Sequence, residues 1–360
     1  MNDSKYTVVF PGYTIGKDAY EVVKQVCPRY GKKVVVIGGK TAIAKAEDKL
    51  IEAVEGIGLE FTGFLLYGGE ASYENVHKLS QDQAVEEADM IFAVGGGKAI
   101  DTAKVLAHTL NIPFFTFPTV ASNCAAFTSL AVMYYPDGRH KEISFSNIPP
   151  VHVFMCTRIA VEAPKSFLWA GMGDTIAKYY EANISARGDS LKHSDGLGVA
   201  ISTMCAAPIL QYGAQALLDN ENKLTSASFE EVMLAIVVST GMVSNFVQQD
   251  FNAHIAHALF CELTTLPQIE AKHLHGEVVM YGVLVLLMCD QQLDDLKRVY
   301  EFCKSVGLPT KLADIDIKLE ELVPILESTA KSAELIHSPY PVSKKMLQDA
   351  VQALEDYNKK

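Results

Sequence analysis

"DMIFAVGGGKAIDTAKVLAHTLNIPFFTFPT" (89–119) reads as an apolar run, three glycines, a stretch of helical period and a second apolar run. Strand, glycine turn, helix and strand in that order make one βαβ unit, whose strands lie parallel in a sheet. The alternation extends upstream through "KVVVIGG" (33–39), "TAIAKAEDKLIEAVEGIG" (41–58), "LEFTGFLLYGG" (59–69) and "ASYENVHKLSQDQAVEEA" (71–88). Shorter extended pieces with a "PDG" turn follow between about 130 and 160. Past "EAPKSF" (162–167) the character changes to long apolar-periodic segments such as "GVAISTMCAAPILQYGAQALL" (198–218) and "SFEEVMLAIVVSTGMVSNFV" (228–247). The pattern predicts an α/β N-terminal domain, Rossmann-like with a parallel sheet, over residues 1–162. An all-α C-terminal domain over 163–360 should pack directly against it, with a cleft between them.

Bulk properties agree with a two-domain soluble chain. Its 360 residues exceed the roughly 250–300 at which single cores tend to split. Hydrophobic residues make up 49% and charged ones 21%, a folded composition rather than a disordered one. A net charge of −12 argues against nucleic acid, which needs clustered cations. "MNDSKYTVVFPG" has no secretory pattern, and the apolar run "VVMYGVLVLLMC" (278–289) is too short for a bilayer. Seven cysteines, an odd number without a CxxC pair, suggest reduced thiols. These features imply a cytoplasmic protein with a small-molecule substrate and with neither nucleic acid nor membrane as partner.

Three stretches could carry chemistry. In "FAVGGGKAIDTAK" (92–104) the glycines let backbone approach a ligand, and the next helix offers free N–H groups and a positive dipole end to a phosphate. The competing reading is a tight strand-to-helix turn, since the loop is neither GxGxxG nor a Walker loop. Asp101 and Lys104 lie on the first turns of that helix, able to face solvent or, for Asp101, to join the coenzyme set. In "WAGMGDTIAKYYEA" (169–182), Asp174 follows glycines and would by itself be an N-cap. In "AHIAHALFCELTTLPQIEAKHLHG" (253–276), His254 and His257 are three apart and share a helical face, while His273 and His275 follow a break at Pro267. One Asp and two His from separate segments are suitable ligands for a divalent metal, zinc or iron.

Together "GGGKAIDTAK", "GMGDTIAKYYEA", "AHIAHAL" and "HGEVVMYGVL" resemble the iron-containing alcohol dehydrogenases, specifically the glycerol dehydrogenase branch. The resemblance runs over nearly the whole chain with the motifs in order. It implies a homo-oligomer and a metal held by Asp174, by His254 as the first His of a His-x-x-His pair, and by His275. His257 would then act as a proton relay, with His273 left as a surface residue. It also implies a dinucleotide pyrophosphate on Gly95, Gly96, Gly97 and Lys98, with Thr119, Ser122, Thr128, Leu130 and Tyr134 along the rest of the coenzyme.

Two departures modify those implications. NAD-using members carry an acid at the end of the second strand, where it binds the ribose hydroxyls. Here Gly39 stands there with Lys40 beside it, so a 2′-phosphate meets no repulsion and NADP(H) is favoured over NAD(H). Glycerol dehydrogenases place an Asp after the "PT-x-AS" segment; the aligned residue here is Cys124, with Phe127 nearby. "NCAAF" is similar to the segment of hydroxycarboxylate dehydrogenases of the same superfamily. The expected reaction is therefore metal-dependent reduction of small 2-oxo acids. A glycerol or polyol dehydrogenase, a dehydroquinate synthase-like lyase and an idle dinucleotide-binding protein stand as alternatives.

Overall fold

The computed structural model describes residues 7–146 and 148–359. It divides into two compact units, one reaching to Pro164 and including Asp219–Glu230, the other holding Lys165–Leu218 and Glu231 onward. The strands of the first unit are β1 (Gly12–Gly16), β2 (Lys33–Gly38), β3 (Glu60–Leu66), β4 (Met90–Gly95), β5 (Phe114–Pro118), β6 (Ala131–Tyr134), β7 (His140–Ser144) and β8 (His152–Cys156). Six form one parallel sheet in the order β1-β8-β5-β4-β2-β3, and β6 pairs antiparallel with β7.

β2 and β4 are buried at every residue except Lys33, as expected of central strands covered on both faces. Helix α1 (Lys40–Val54) covers the sheet with Ile43, Ala46, Leu50, Ala53 and Val54, a stripe at three- and four-residue spacing. Phe92, Phe115, Phe117 and Phe154 fill the core beneath it, Phe117 stacked on Phe154 at 4.9 Å between centroids. Helix α2 (Gly97–Leu110) follows β4.

From β2 the chain runs to β3 on one side, then crosses to β4 on the other side of β2. The order thus reverses between β2 and β4, and their carboxyl ends open a crevice, the usual ligand position in an open α/β sheet. Glycines keep that crevice clear. A Cβ on Gly38 would lie 2.4 Å from the Val94 carbonyl oxygen, and Gly95 has φ +147°, which favours glycine.

The second unit is helical. The helices that build the site are α3 (Lys165–Ser185), α4 (Ile255–Leu263) and α5 (His275–Cys289). From Gly276 to Cys289 every residue of α5 except Glu277 is buried, so it is a core helix, packed against α3 and α4. Asp219–Glu230 sits with the sheet unit because Asn220 Nδ2 donates to the carbonyls of Val161 and Ala163 at 2.7 and 3.2 Å.

Candidate metal centre and coenzyme loop

Asp174, Lys178, Glu181 and Ser185 recur at intervals of four, three and four residues, which sets them on one face of α3. All four grip the segment that leads into α4 or its first turn. Ser185 Oγ donates to the Ala253 carbonyl at 2.9 Å. Lys178 Nζ donates to the Asn252 carbonyl and side chain at 3.0 and 2.9 Å. Glu181 Oε1 accepts the backbone N–H groups of His254 and His257 at 2.8 and 2.9 Å, while Oε2 faces Nδ1 of the His257 ring. Those N–H groups are orphans of a helix start, and a buried carboxylate from another helix satisfies them and suits the local dipole.

Asp174 Oδ1 lies 3.3 Å from Nε2 of His257 and 3.3 Å from Nε2 of His275. Among the described residues, Asp174, His257 and His275 form the cluster able to hold a metal ion, their ligand atoms within 4.8 Å of one another. Gly276 allows this approach. A Cβ on Gly276 would lie 2.0 Å from the Ala170 carbonyl oxygen and 3.0 Å from the Asp174 Cβ, so α5 starts directly against α3. His275 is exposed on its outer side, and the Phe260 ring meets it edge-on at 4.3 Å.

This geometry corrects the sequence reading by one turn of helix. His254, expected as a ligand, is the fully buried N-cap residue of α4, and neither ring nitrogen has a hydrogen-bond partner. His257 takes the place beside Asp174 and His275. With Nδ1 on Glu181 and Nε2 toward Asp174, it has no free nitrogen for the relay role expected of it. Three residues beyond His257 stands Phe260, not a second histidine. The spacing of the visible pair could not separate these registers, because both histidines lie within a turn of each other. Asp174 is not an N-cap either; α3 begins at Lys165. His273, read as a surface residue, has a mostly buried side chain whose Nδ1 pairs with Glu277 at 2.8 Å.

The electrostatics suit a cation. Burial alone would raise the Asp174 pKa, but hydrogen bonds from His257 and His275 hold it well below the usual carboxylate range. Burial would lower the His257 pKa, yet the Glu181 charge and the Asp174 hydrogen bond push it up to about 10. Glu181 is likewise held low despite burial, chiefly by the His257 charge. Two carboxylates, fully buried Glu181 and half-buried Asp174, thus share one imidazolium, a charge pattern a divalent ion satisfies by replacing its proton. One carboxylate oxygen and two imidazole nitrogens form a donor set that fits such an ion. Buried His254, without comparable pairing, is pushed down to about 4.

In the sheet unit, Gly96 is the N-cap of α2 and offers no side chain to its free N–H groups. Thr119 N–H donates to the Gly95 carbonyl at 3.1 Å. Ser122 and Cys124 are half-buried, and Phe127 and Thr128 are buried. Lys98 pairs with Glu70 at 2.7 Å and sits over the Tyr134 ring at 4.8 Å. Gly39 caps α1, with Lys40 exposed next to it. Asp101, expected among the coenzyme contacts, is instead buried. Its carboxylate accepts from Lys104 Nζ and from the Val132 N–H, each at 3.0 Å. Fully buried Lys104 also donates to the Ala125 carbonyl at 2.9 Å and to that of Leu130. The pair fastens the 125–132 loop to α2. Sequence reading named Lys104 but as able to face solvent, and it missed Glu181, although polar residues recurring along otherwise apolar helices were a visible signal.

The family model for iron-containing alcohol dehydrogenases matches residues 11–155. A glycerol dehydrogenase of Thermotoga maritima is 33% identical, over 98% of this chain and 98% of its own. Hydroxycarboxylate dehydrogenase A of Escherichia coli is 34% identical over 90% of each chain. The crystal structure of glycerol dehydrogenase from Schizosaccharomyces pombe superimposes with a TM-score of 0.87 at 27% identity, covering 99% of this chain and 92% of that one. The chain belongs to the iron-containing alcohol dehydrogenase family. It is a metal-dependent oxidoreductase of the alcohol dehydrogenase class, in a family that uses a nicotinamide dinucleotide and a divalent metal.

Proposed function

We propose that this chain interconverts small 2-oxo acids and 2-hydroxy acids, using NADP(H) in preference to NAD(H) and a zinc or iron ion held by Asp174, His257 and His275. The observation that carries the substrate reading is the acid-free loop: from Pro118 to Tyr135 there is no Asp or Glu. Cys124 stands where a polyol-binding acid is expected, so that loop does not repel a substrate carboxylate.

A bound divalent ion supplies Lewis-acid polarisation of the carbonyl oxygen, worth several kcal/mol in a hydride-transfer transition state. The remaining tasks fall to the chain. Gly95, Gly96 and Gly97 present backbone to the pyrophosphate, and Lys98 adds a cation beside them. Asp174 brings negative charge to the metal centre, and Glu181 holds the His257 ring. Phe260 gives the exposed side of His275 an apolar neighbour that excludes water. The proton accompanying the hydride comes from a group other than His257, both of whose nitrogens are engaged.

Polyol oxidation is the second reading, favoured by similarity to the T. maritima and S. pombe proteins named glycerol dehydrogenase. Reconstitution with zinc or ferrous ion, followed by kcat/KM with 2-oxobutanoate and with dihydroxyacetone, tests the first reading. Preference for dihydroxyacetone would replace it with the second.

A further inference from the structure

Glu181 is not one of the three metal-holding residues, yet it is fully buried and both of its oxygens are used. A helix cap needs only one of them. Oε1 accepts both backbone N–H groups, from His254 and His257, and fixes the start of α4. Oε2 is turned to Nδ1 of the His257 ring. On the opposite edge of that ring, Nε2 faces Asp174 Oδ1 at 3.3 Å, and the same oxygen lies 3.3 Å from His275 Nε2.

We propose that Glu181 is a positioning residue for the metal centre: it keeps the His257 ring proton on Nδ1 and thereby reserves Nε2 for coordination. The proposal rests on the reading of Asp174, His257 and His275 as the metal-holding set. An ionised carboxylate only accepts hydrogen bonds, so the ring nitrogen facing it must carry the proton. A neutral imidazole has one N–H, and its lone pair then sits on the nitrogen toward Asp174. The contact also fixes the rotation of the ring about its own axis, and the carboxylate makes the ring a stronger donor to a cation. Ser185 and Lys178 support the same device from neighbouring turns by holding Ala253 and Asn252, so His257 enters α4 at a set angle.

Glu181→Gln separates the two roles of the side chain. The amide oxygen can still accept the two backbone N–H groups, but the amide NH₂ then faces Nδ1. Nδ1 must become the acceptor, the ring proton moves to Nε2, and coordination is blocked there.

The experiment is zinc binding by competition with a chromophoric chelator at one fixed pH, on wild type, Glu181→Gln, His257→Ala and the double variant. Glu181→Gln should bind zinc about 10- to 100-fold more weakly, and should add no further loss in the His257→Ala background. A purely structural Glu181 would weaken both backgrounds by the same factor, which overturns the proposal, as does wild-type affinity in Glu181→Gln. If Glu181→Gln fails to fold, ¹⁵N imidazole spectra of zinc-loaded wild type decide directly. They should place the His257 proton on Nδ1, and a proton on Nε2 rejects the proposal. Wild-type affinity in His257→Ala would instead show that the metal-holding set itself is wrong.

Discussion

Gly173 and Gly276 meet where α3 and α5 cross, so closely that a Cβ on Gly173 would lie 2.2 Å from the Gly276 carbonyl oxygen. A Cβ on Gly276 would strike backbone as well, the Ala170 carbonyl at 2.0 Å. Backbone cannot swing aside as a side chain can, so the helices must separate, and Asp174 and His275 with them. Gly276→Ala should cost about 3 kcal/mol in urea unfolding of the metal-free protein and weaken zinc binding. Gly196 provides the contrast: it is helical, with nothing within 4 Å of its Cβ position. Gly196→Ala should stabilise by about 0.5–1 kcal/mol through helix propensity alone. Equal effects of the two changes would refute the close-crossing argument.

His254 and His257 should behave oppositely. His257→Ala is expected to abolish stoichiometric metal, whereas His254→Leu should retain it. The second change also alters the response to acid. Burial lowers the folded pKa of His254 to about 4, below the ordinary histidine value of 6.5. Between those values the unfolded chain binds a proton that the folded chain refuses, so stability falls as pH falls through that window and is fully present above it. The slope from this residue reaches at most about 1.4 kcal/mol per pH unit. Denaturation midpoints of the metal-free proteins at several pH values between 4 and 7 should show a shallower decline for His254→Leu. An unchanged slope would mean that His254 is not held neutral.

Much of this molecule was legible because its signals are periodic. The strand–glycine–helix repeats predicted the parallel sheet, and the structure shows one. β1 was missed: "GYTIG" is short, bounded by glycine and at the sheet edge, where burial leaves no apolar run. The return of Asp219–Glu230 to the sheet unit depends on the Asn220 amide reaching two carbonyls, which no local pattern announces. In the site, residue types were readable but register was not. Asp101 looked like a ligand-facing acid because helical position says nothing about which neighbour folds over it. The loop that covers Asp101 and Lys104 is brought there by tertiary structure.

Lys104 and Asp101 should be strongly coupled. Lys104→Met would leave the Asp101 carboxylate buried beside the Val132 N–H without its cation, and burial already pushes the Asp101 pKa up. Breaking such a pair costs about 3–5 kcal/mol. Lys104→Met with Asp101→Asn should recover part of that loss, since Asn still offers an oxygen to Val132. Urea unfolding of the single and double variants measures both quantities. A cost below about 1 kcal/mol for Lys104→Met would show that the 125–132 loop holds its place without this tether.

Gly39→Asp should shift coenzyme preference toward NADH. The position accepts a side chain without a clash, since a Cβ would meet Tyr67 and Ala42 only at 3.7 and 3.9 Å. An acid at this N-cap can bind ribose hydroxyls, and it repels a 2′-phosphate that Lys40 would otherwise attract. The ratio of kcat/KM for NADPH over NADH should exceed one in wild type and fall by at least about tenfold in Gly39→Asp. A wild type that favours NADH would remove the basis of the coenzyme proposal while leaving the metal centre untouched.

Cys124→Asp tests the substrate class. The Cys124 carbonyl accepts the N–H groups of Phe127 and Thr128 at 2.9 and 3.2 Å, so the residue opens a turn, a position where Asp is well tolerated. The change therefore adds charge without unfolding the loop. A unit charge about 4 Å from a substrate carboxylate costs about 4 kcal/mol at an effective dielectric of about 20. That corresponds to roughly a thousandfold, enough to decide which class of substrate is accepted. Wild type should reduce 2-oxobutanoate more efficiently than dihydroxyacetone, and Cys124→Asp should suppress the acid by two to three orders of magnitude, on the order of 3–4 kcal/mol, while sparing the neutral triose. The measurement is kcat/KM for both compounds in both proteins with saturating coenzyme and metal. An unchanged ratio would place Cys124 away from the substrate carboxylate, and polyol chemistry would then be the better account of this loop.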